Sequence, residues 1–388
     1  MKHLRRALCV LLLLPACVRA IPPEMDRQLQ TALDLLYSMK WSEAEAVVLQ
    51  VVDRYVDHPY GHFGLAVVSM IQYVYGAEQA DPALLATFTQ RTDDAIVKGS
   101  AWIKKHPRDA EGFLALGAAY GVSARLLTVR HQWLKAYWHG RAAVVHLQKA
   151  AKLDPALADS YLGLGMYDYY SDAYPRFVRV LAKLFLRGDR ARGIAELNRA
   201  AQGGTFSQVV SKMILVEIYL EDQWGLRDTP EAVKLSAEVR RRYPDSAMVQ
   251  DIDFVARYEA GLYGEVLADL DKFLEKARRG DYDALQLAKA LVIQGTALWA
   301  AGRRAEGLAA LRAASEVRVE GKITRWGVWA RIRAGHLLDL MGRRVEALEL
   351  YKAAALEPDL WDLRQFAKAG QRAAWKDPYP GHVSPFGA

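Results

Sequence analysis

Residues 295–314 read GTALWAAGRRAEGLAALRAA and residues 335–354 read GHLLDLMGRRVEALELYKAA, at an offset of 40 positions. Both segments begin with glycine, carry a Gly-Arg-Arg turn seven positions later, and place a bulky residue, Leu311 or Tyr351, nine positions after the turn glycine. Glycine supplies the left-handed backbone that ends a helix, and arginine complements the negative end of the helix dipole. Each segment therefore predicts two helices joined by a tight turn, with a small residue facing a bulky one.

The same alternation of small and bulky residues recurs in weaker form nearer the N-terminus. Ser160–Ala201 contains Gly165 in a first helix and Leu197 in a second. An earlier unit is longer, because Gly117 and Ala143 are 26 positions apart where the two late segments have 12 between the matching positions. Apolar residues at helical spacing continue through the rest of the sequence, and no run alternates as a strand does. The sequence therefore predicts an all-α chain of successive helical hairpins.

Local signals mark the start of two early helices. Ser42 and Glu45 fit the S-x-x-E capping box, in which each side chain bonds the backbone of the other residue. Asp81 followed by Pro82 fits an N-cap residue with proline in the first helical position. Helices are expected to begin at both places.

This repeat resembles the tetratricopeptide repeat (TPR), which has a small residue in its first helix, a turn glycine, and small and bulky residues in its second helix. The resemblance is strongest over Leu285–Pro358. It implies an α-α superhelical solenoid of stacked TPR-like hairpins over residues 21–375. Residues 376–388 contain three prolines and two glycines, and we expect them to form a loose tail. The resemblance also implies a non-enzymatic scaffold that binds a partner protein or an extended peptide in a concave groove.

The first helix of each TPR unit lines the concave face, so the family's groove positions can be transferred to this sequence. Aromatic side chains with charges nearby suit a peptide groove, because they offer rigid apolar area and polar groups for orientation. The alternative is that the aromatic residues pack between repeats, as they do in many helical cores. The transferred groove positions are Glu111, Asp159, Met166, Tyr169, Tyr170, Lys289, Trp299, Trp329, His336 and Asp339.

Residues 1–20 have the features of a signal peptide. Basic residues open the segment, residues 7–16 are apolar but shorter than the ~20 residues of a membrane span, and a small residue stands at Ala20. We expect cleavage after Ala20. Residues 14–17 (LPAC) also resemble a bacterial lipobox, in which Cys17 would be acylated. Either route predicts export across the inner membrane to the periplasm or the outer membrane.

Removing the leader changes the charge and the cysteine content. The whole chain has 52 basic and 45 acidic side chains, and four of the basic ones lie in the leader, which leaves 48 against 45, a net charge of +3. Such a balance gives no reason to expect a nucleic-acid partner. Both cysteines, Cys9 and Cys17, also lie in the leader, so no disulfide framework is expected.

Arg176–Arg187 forms a basic amphipathic segment, with four basic residues spaced three and four apart among large apolar ones. One interpretation is a helix that lies on an anionic membrane or a partner. The other is an insert that buries its apolar face on the scaffold and leaves a basic edge in water.

Motifs for common catalytic chemistry and for cofactors are absent from the sequence, and we expect no cofactor or metal. His131, His139 and His146 lie on or near one helix without the carboxylates of a typical metal site. Asp168 and Asp172, four residues apart among tyrosines, could serve as paired carboxylates in a carbohydrate- or peptidoglycan-active enzyme.

The sequence thus leaves three hypotheses. The first is an exported, non-enzymatic interaction scaffold of the periplasm or cell envelope. The second is a helical carbohydrate-active enzyme that uses Asp168 and Asp172. The third is a membrane-docked assembly factor held by Arg176–Arg187 or by a lipid on Cys17.

Overall fold

The computed structural model describes residues 21–171, 188–220, 227–359 and 362–376. This part of the chain contains seventeen α-helices and one pair of two-residue strands. The helices are α1 (Pro23–Tyr37), α2 (Trp41–Arg54), α3 (Pro59–Ile71), α4 (Pro82–Lys105), α5 (Ala110–Val129), α6 (Trp133–Leu153), α7 (Ser160–Tyr170), α8 (Arg190–Gly203), α9 (Gln208–Leu220), α10 (Thr229–Arg242), α11 (Ala247–Glu259), α12 (Tyr263–Arg279), α13 (Ala284–Ala300), α14 (Arg304–Glu316), α15 (Arg325–Leu340), α16 (Arg344–Leu356) and α17 (Arg364–Arg372). The antiparallel strands β1 (Arg318–Val319) and β2 (Lys322–Ile323) join α14 to α15.

The helices pack in the order of the sequence and form two layers. Each helix contacts the one before it and the one after it, and most odd-numbered helices also contact the next odd-numbered helix. The odd-numbered helices therefore form the inner layer, and the even-numbered helices form the outer one. This is an all-α superhelical solenoid of stacked hairpins, which confirms the fold class expected from the sequence.

Capping side chains start many of these helices where the sequence allows it. Asp81 accepts hydrogen bonds from the backbone N–H groups of Ala83 and Leu84, at 2.7 and 3.2 Å, and α4 follows with proline in its first turn. Asp283 and Thr324 cap α13 and α15 in the same way. These bonds satisfy N–H groups that have no partner within the helix.

The capping box at Ser42 and Glu45 is not formed, so that prediction is wrong. Helix α2 begins at Trp41, with Lys40 as N-cap and no capping side chain. Glu45 lies in the second turn and forms an ion pair with Arg91 of α4. Ser42 is therefore the second residue of the helix and not its N-cap, and the Glu45 carboxylate contacts another helix instead of the backbone.

Glycines let the two helices of a hairpin approach closely, as the repeat predicts. A Cβ atom added at Gly295 would lie 2.7 Å from Cγ of Leu311, and one added at Gly335 would meet the ring of Tyr351, at the position 40 residues later. The turn glycines Gly302 and Gly342 have φ angles of +80° and +73°, in the left-handed region. The two late segments thus occupy equivalent environments.

The extra residues of the unit that contains Gly117 lengthen its helices. Helix α5 has 20 residues and α6 has 21, whereas α15 and α16 have 16 and 13. The two helices are together 12 residues longer, which is about three more helical turns at about 3.6 residues per turn. Gly117 still faces Leu147, as the repeat requires.

The first hairpin contacts a turn several hairpins further along the chain. Oδ1 of Asp34 accepts hydrogen bonds from the hydroxyl of Tyr243 at 2.6 Å and from Nη2 of Arg242 at 2.9 Å. The rings of Tyr37 and Tyr243 lie 5.4 Å apart. The turn that ends α1 is thereby fixed to the turn that follows α10.

Two further contacts of this kind follow in register. Oε2 of Glu78, between α3 and α4, accepts a hydrogen bond from the backbone N–H of Arg325 at 2.9 Å, at the start of α15. Nε2 of His131, between α5 and α6, lies 3.5 Å from Oδ2 of Asp362, just before α17. The solenoid therefore winds back on itself, and the edges of its successive turns touch.

Several sequence predictions fall on residues outside the described part. These are the leader with Cys17, the basic segment Arg176–Arg187, Asp172, and the tail beyond Lys376. Among the described helices, none has the length and apolar character needed to span a membrane.

Candidate functional site

The two acidic groove positions nearest the N-terminus hold the scaffold together. Glu111 is buried at the start of α5 and accepts a hydrogen bond from the hydroxyl of Tyr60. Oδ1 of Asp159 accepts hydrogen bonds from the N–H groups of Phe206 and Ser207, at 2.9 and 2.8 Å, and from the hydroxyl of Ser207 at 2.7 Å. Both carboxylates are thus engaged by neighbouring elements in this conformation.

The groove positions of α7 pack on the next hairpin. Tyr169 is fully buried against α8 and α9, while Met166 and Tyr170 are half-buried at the edge of the same cluster. Gly193 of α8 approaches the backbone of Tyr169 so closely that an added Cβ would lie 2.8 Å from its nitrogen. The surroundings of Tyr169 are therefore those of a residue packed between helices.

Lys289 of α13 makes a buried ion pair across the inner layer. Its Nζ lies 2.9 Å from Oδ2 of Asp251 in α11 and 5.3 Å from the centre of the Trp326 ring. Burial raises the pKa of Asp251, and Lys289 opposes that rise. The pair therefore joins α11 to α13 on the inner side of the solenoid.

The four groove positions nearest the C-terminus converge on a segment of this same chain. Asp339 of α15 accepts hydrogen bonds from the hydroxyl of Tyr351 at 2.8 Å and from Nη1 of Arg344 at 3.0 Å. Its Oδ2 atom also accepts the backbone N–H of Trp375 at 2.8 Å. Trp375 follows α17, in a segment that leaves the helix with an extended backbone at Ala373 (φ −143°, ψ 146°).

The side chain of Trp375 enters a cage of aromatic and cationic groups on α13 and α15. Its ring stacks on His336, with centroids 4.6 Å apart and planes 12° from parallel, and meets Trp299 edge-on at 5.5 Å. The Arg333 guanidinium lies 4.5 Å from the Trp299 ring and 5.6 Å from that of Trp375. Trp329 lies 5.9 Å from the same guanidinium, and its ring centroid lies 5.6 Å from that of Phe366 in α17. We call this arrangement the Trp375 seat.

The aromatic cage of the seat holds a buried cation. Arg333 is only 2% exposed. Burial, helped by the Arg333 charge, lowers the pKa of His336 to about 2, so the imidazole that stacks on Trp375 is neutral. A fixed cation beside aromatic faces attracts the electron-rich ring of another aromatic side chain.

Sequence reasoning identified four members of the seat and missed two. Trp299, Trp329, His336 and Asp339 were predicted groove positions, and the structure brings them together. Arg333 was missed although it lies four residues after Trp329, on the same helical face. No repeat pattern could place Trp375, since it follows the final helix.

Asp168, proposed as one of a catalytic pair, is already matched with a cation. It is buried and forms a two-point ion pair with Arg192 of α8, in which Nη2 lies 2.8 Å from Oδ1. Burial, together with the neighbouring Asp168, raises the pKa of Glu196 to about 7. The ion pair joins α7 to α8. Asp172, the proposed catalytic partner of Asp168, lies outside the described residues.

The histidines on and near α6 contact aromatic rings. Tyr120 lies between His139 and His146, with ring centroids 5.5 and 5.7 Å away. In the part of the chain that the structure describes, no group of three or more histidine, cysteine or acidic residues could hold a metal ion.

Comparisons with known proteins give the chain no family. No protein-family model matches it, and no curated protein sequence matches it. Among solved structures, yeast Tom70 is similar at 12% identity, with 90% of this chain and 82% of that chain covered and a TM-score of 0.42. The TPR domain of P58(IPK) is similar at 14% identity, with 90% and 89% covered and a TM-score of 0.23. The overlap is loose, and the fold assignment rests on the helix packing.

Proposed function

We propose that this chain is an exported interaction scaffold whose inner face binds an extended segment of a partner protein. The observation that carries the proposal is the Trp375 seat. An extended piece of chain already lies there, anchored by a backbone hydrogen bond to Asp339 and by an aromatic ring between α13 and α15. A partner segment that enters the same site would make the same two kinds of contact.

The chemistry of the seat defines the partner segment. Burying an aromatic anchor supplies most of the binding energy, because the ring is large and loses few rotatable bonds. Asp339 accepts a backbone N–H at the anchor, which an extended segment leaves free and the interior of a helix does not. We therefore propose a partner segment with a tryptophan, or another aromatic residue, in an extended stretch.

The leader supports the proposed location. Residues 1–20 fit a signal peptide, and a mature chain without cysteine suits an oxidising compartment. We propose that the scaffold acts in the periplasm or at the envelope. The intact mass of the exported protein would separate a chain that begins at Ile21 from one acylated at Cys17.

A peptide titration tests binding at the seat. The full chain carrying Trp375→Ala is titrated with a labelled peptide of sequence AAWKDPYP, which copies residues 373–380. We expect the peptide to bind this variant. Its affinity for the wild type should be lower by roughly tenfold or more, because the wild type's own Trp375 competes for the site. A peptide with alanine in place of tryptophan should not bind.

A matched variant and a folding check accompany this titration. Trp138→Ala removes a tryptophan that is about half exposed on α6, far from the seat in sequence, and should behave as the wild type does. Circular dichroism must show that Trp375→Ala retains its helices. If the folded Trp375→Ala chain does not bind the peptide, Trp375 is a packing residue and the proposal is wrong.

A further inference from the structure

We propose that the outer face of α6 docks on an anionic lipid surface. Three large apolar side chains of this helix remain about half exposed, namely Leu134 at 53%, Trp138 at 49% and Val145 at 50%. The described part of the chain has nine large apolar residues with such exposure, and no other helix carries three of them. This proposal is independent of the Trp375 seat.

The three side chains share one narrow sector of the helix. At about 100° per residue, Leu134 and Val145 fall within about 40° of Trp138 around the helix axis. Lys135 and Arg141 flank Trp138 at about 60° on either side by the same measure. Lys149 and Lys152 lie in the same sector, about one and two turns beyond Val145. The apolar strip therefore runs between basic side chains.

The charge of this surface has one sign. Helix α6 contains no aspartate or glutamate. The described residues form no ion pair with Lys135, Lys149 or Lys152, and all three lysines are exposed. The Arg141 guanidinium lies 5.8 Å from the Trp138 ring. Two acidic residues lie near the helix, namely Asp93 of the neighbouring helix α4, whose charge acts on His139, and Asp154, the C-cap residue of α6.

These features fit a lipid surface better than an acidic peptide. Helix α6 belongs to the outer layer, so it presents a ridge, which meets a planar surface but offers an extended peptide no cleft. An interfacial helix buries aromatic and aliphatic side chains at headgroup depth, while lysine and arginine extend to anionic phosphates. Tryptophan is enriched at that depth, since its ring is apolar and its N–H is polar. The occupant is therefore an anionic phospholipid bilayer.

Vesicle binding tests this proposal on the exported full chain. Cys17→Ser is included so that an acyl group cannot act as an anchor. Phosphatidylcholine vesicles with and without phosphatidylglycerol are sedimented with the protein at low and high salt. We expect binding only to the anionic vesicles, with loss of binding at high salt. In the Lys135→Glu/Lys149→Glu variant, binding should fall roughly tenfold or more.

Matched variants separate docking by α6 from general attraction. Lys104→Glu/Lys105→Glu makes the same charge change at the exposed end of α4 and should leave binding within about twofold of the parent chain. Trp138→Ala should weaken binding without altering net charge. Circular dichroism confirms that each variant is folded.

Three results would overturn the proposal. The first is failure of the parent chain to bind anionic vesicles at low salt. The second is binding that charge reversal at Lys135 and Lys149 leaves unchanged, which would place the attraction elsewhere, for example in Arg176–Arg187. The third is binding of soluble polyglutamate through Lys135 and Lys149 without binding of vesicles, which would make the partner an acidic polypeptide.

Discussion

Substituting Gly165 by alanine tests the close helix packing on which the solenoid depends. An added Cβ would lie 2.7 Å from the carbonyl oxygen of Gly193 and 2.9 Å from the backbone nitrogen of Leu197. Both atoms belong to the backbone of α8, so the helices must move apart. Overpacking of this kind costs roughly 1–3 kcal/mol. Alanine also favours a helix over glycine by about 1 kcal/mol, which partly offsets that cost.

Gly121→Ala is the matched control, because it isolates the helix-propensity gain. Gly121 lies in the interior of α5, and a Cβ there would meet only Cβ of Ala143, at 3.9 Å. We expect Gly121→Ala to raise the free energy of unfolding by about 1 kcal/mol. Gly165→Ala should be less stable than Gly121→Ala by roughly 1–3 kcal/mol in urea denaturation followed by circular dichroism. Equal stability of the two variants would refute close packing between α7 and α8.

Three further predictions concern a pH-dependent contact, a buried carboxylate and a turn. Burial raises the pKa of Glu78 from 4.5 to about 7. The protonated carboxyl therefore stabilises the fold at low pH, and this stabilisation is lost as the pH rises through 7. The free energy of unfolding of Glu78→Gln, measured relative to wild type, should therefore rise by roughly 2 kcal/mol between about pH 5.5 and about pH 8. A difference between the two proteins that stays constant over this range would contradict the burial of Glu78. Asp159→Ala leaves the buried N–H of Ser207 without its acceptor and should cost roughly 2–4 kcal/mol in thermal or urea unfolding, with Asp159→Asn costing less. Gly302→Ala must hold alanine at a φ of +80° and should cost about 1 kcal/mol, although a Cβ there meets no neighbour; an unchanged midpoint would argue against the left-handed turn.

The hairpins and their packing could be predicted from the sequence because both depend on local spacing. The number of residues between Gly335 and Tyr351 along the sequence determines which residues face each other, and Gly342 marks the turn between the two helices. Asp81 similarly caps α4 by bonding backbone groups two and three residues away. Such interactions need no information from distant parts of the chain.

Contacts between successive turns of the solenoid could not be predicted in this way. Glu78 reaches Arg325, and Asp34 reaches Tyr243, only because curvature accumulates over several hairpins. Small changes in helix length alter that curvature, and α5 and α6 are longer than the repeat pattern requires. The sequence pattern within one hairpin does not determine the curvature that accumulates over several hairpins.

The groove prediction named residues whose surroundings depend on the end of the chain. The structure brings together Trp299, His336 and Asp339, three of the predicted groove positions. The side chain that packs among them is that of Trp375, which follows α17. Partner binding through these residues stays a prediction, and so does the signal peptide that would export them.

Photochemical cross-linking would test most directly whether the inner face seats an extended segment. The peptide AAWKDPYP, with benzoylphenylalanine in place of tryptophan, is irradiated in the presence of the folded Trp375→Ala chain and the adducts are mapped by mass spectrometry. The account predicts adducts on α13 and α15, around Trp299 and His336, and their loss when an excess of the unlabelled peptide is added. Adducts confined to other helices, or adducts that the unlabelled peptide does not displace, would contradict it.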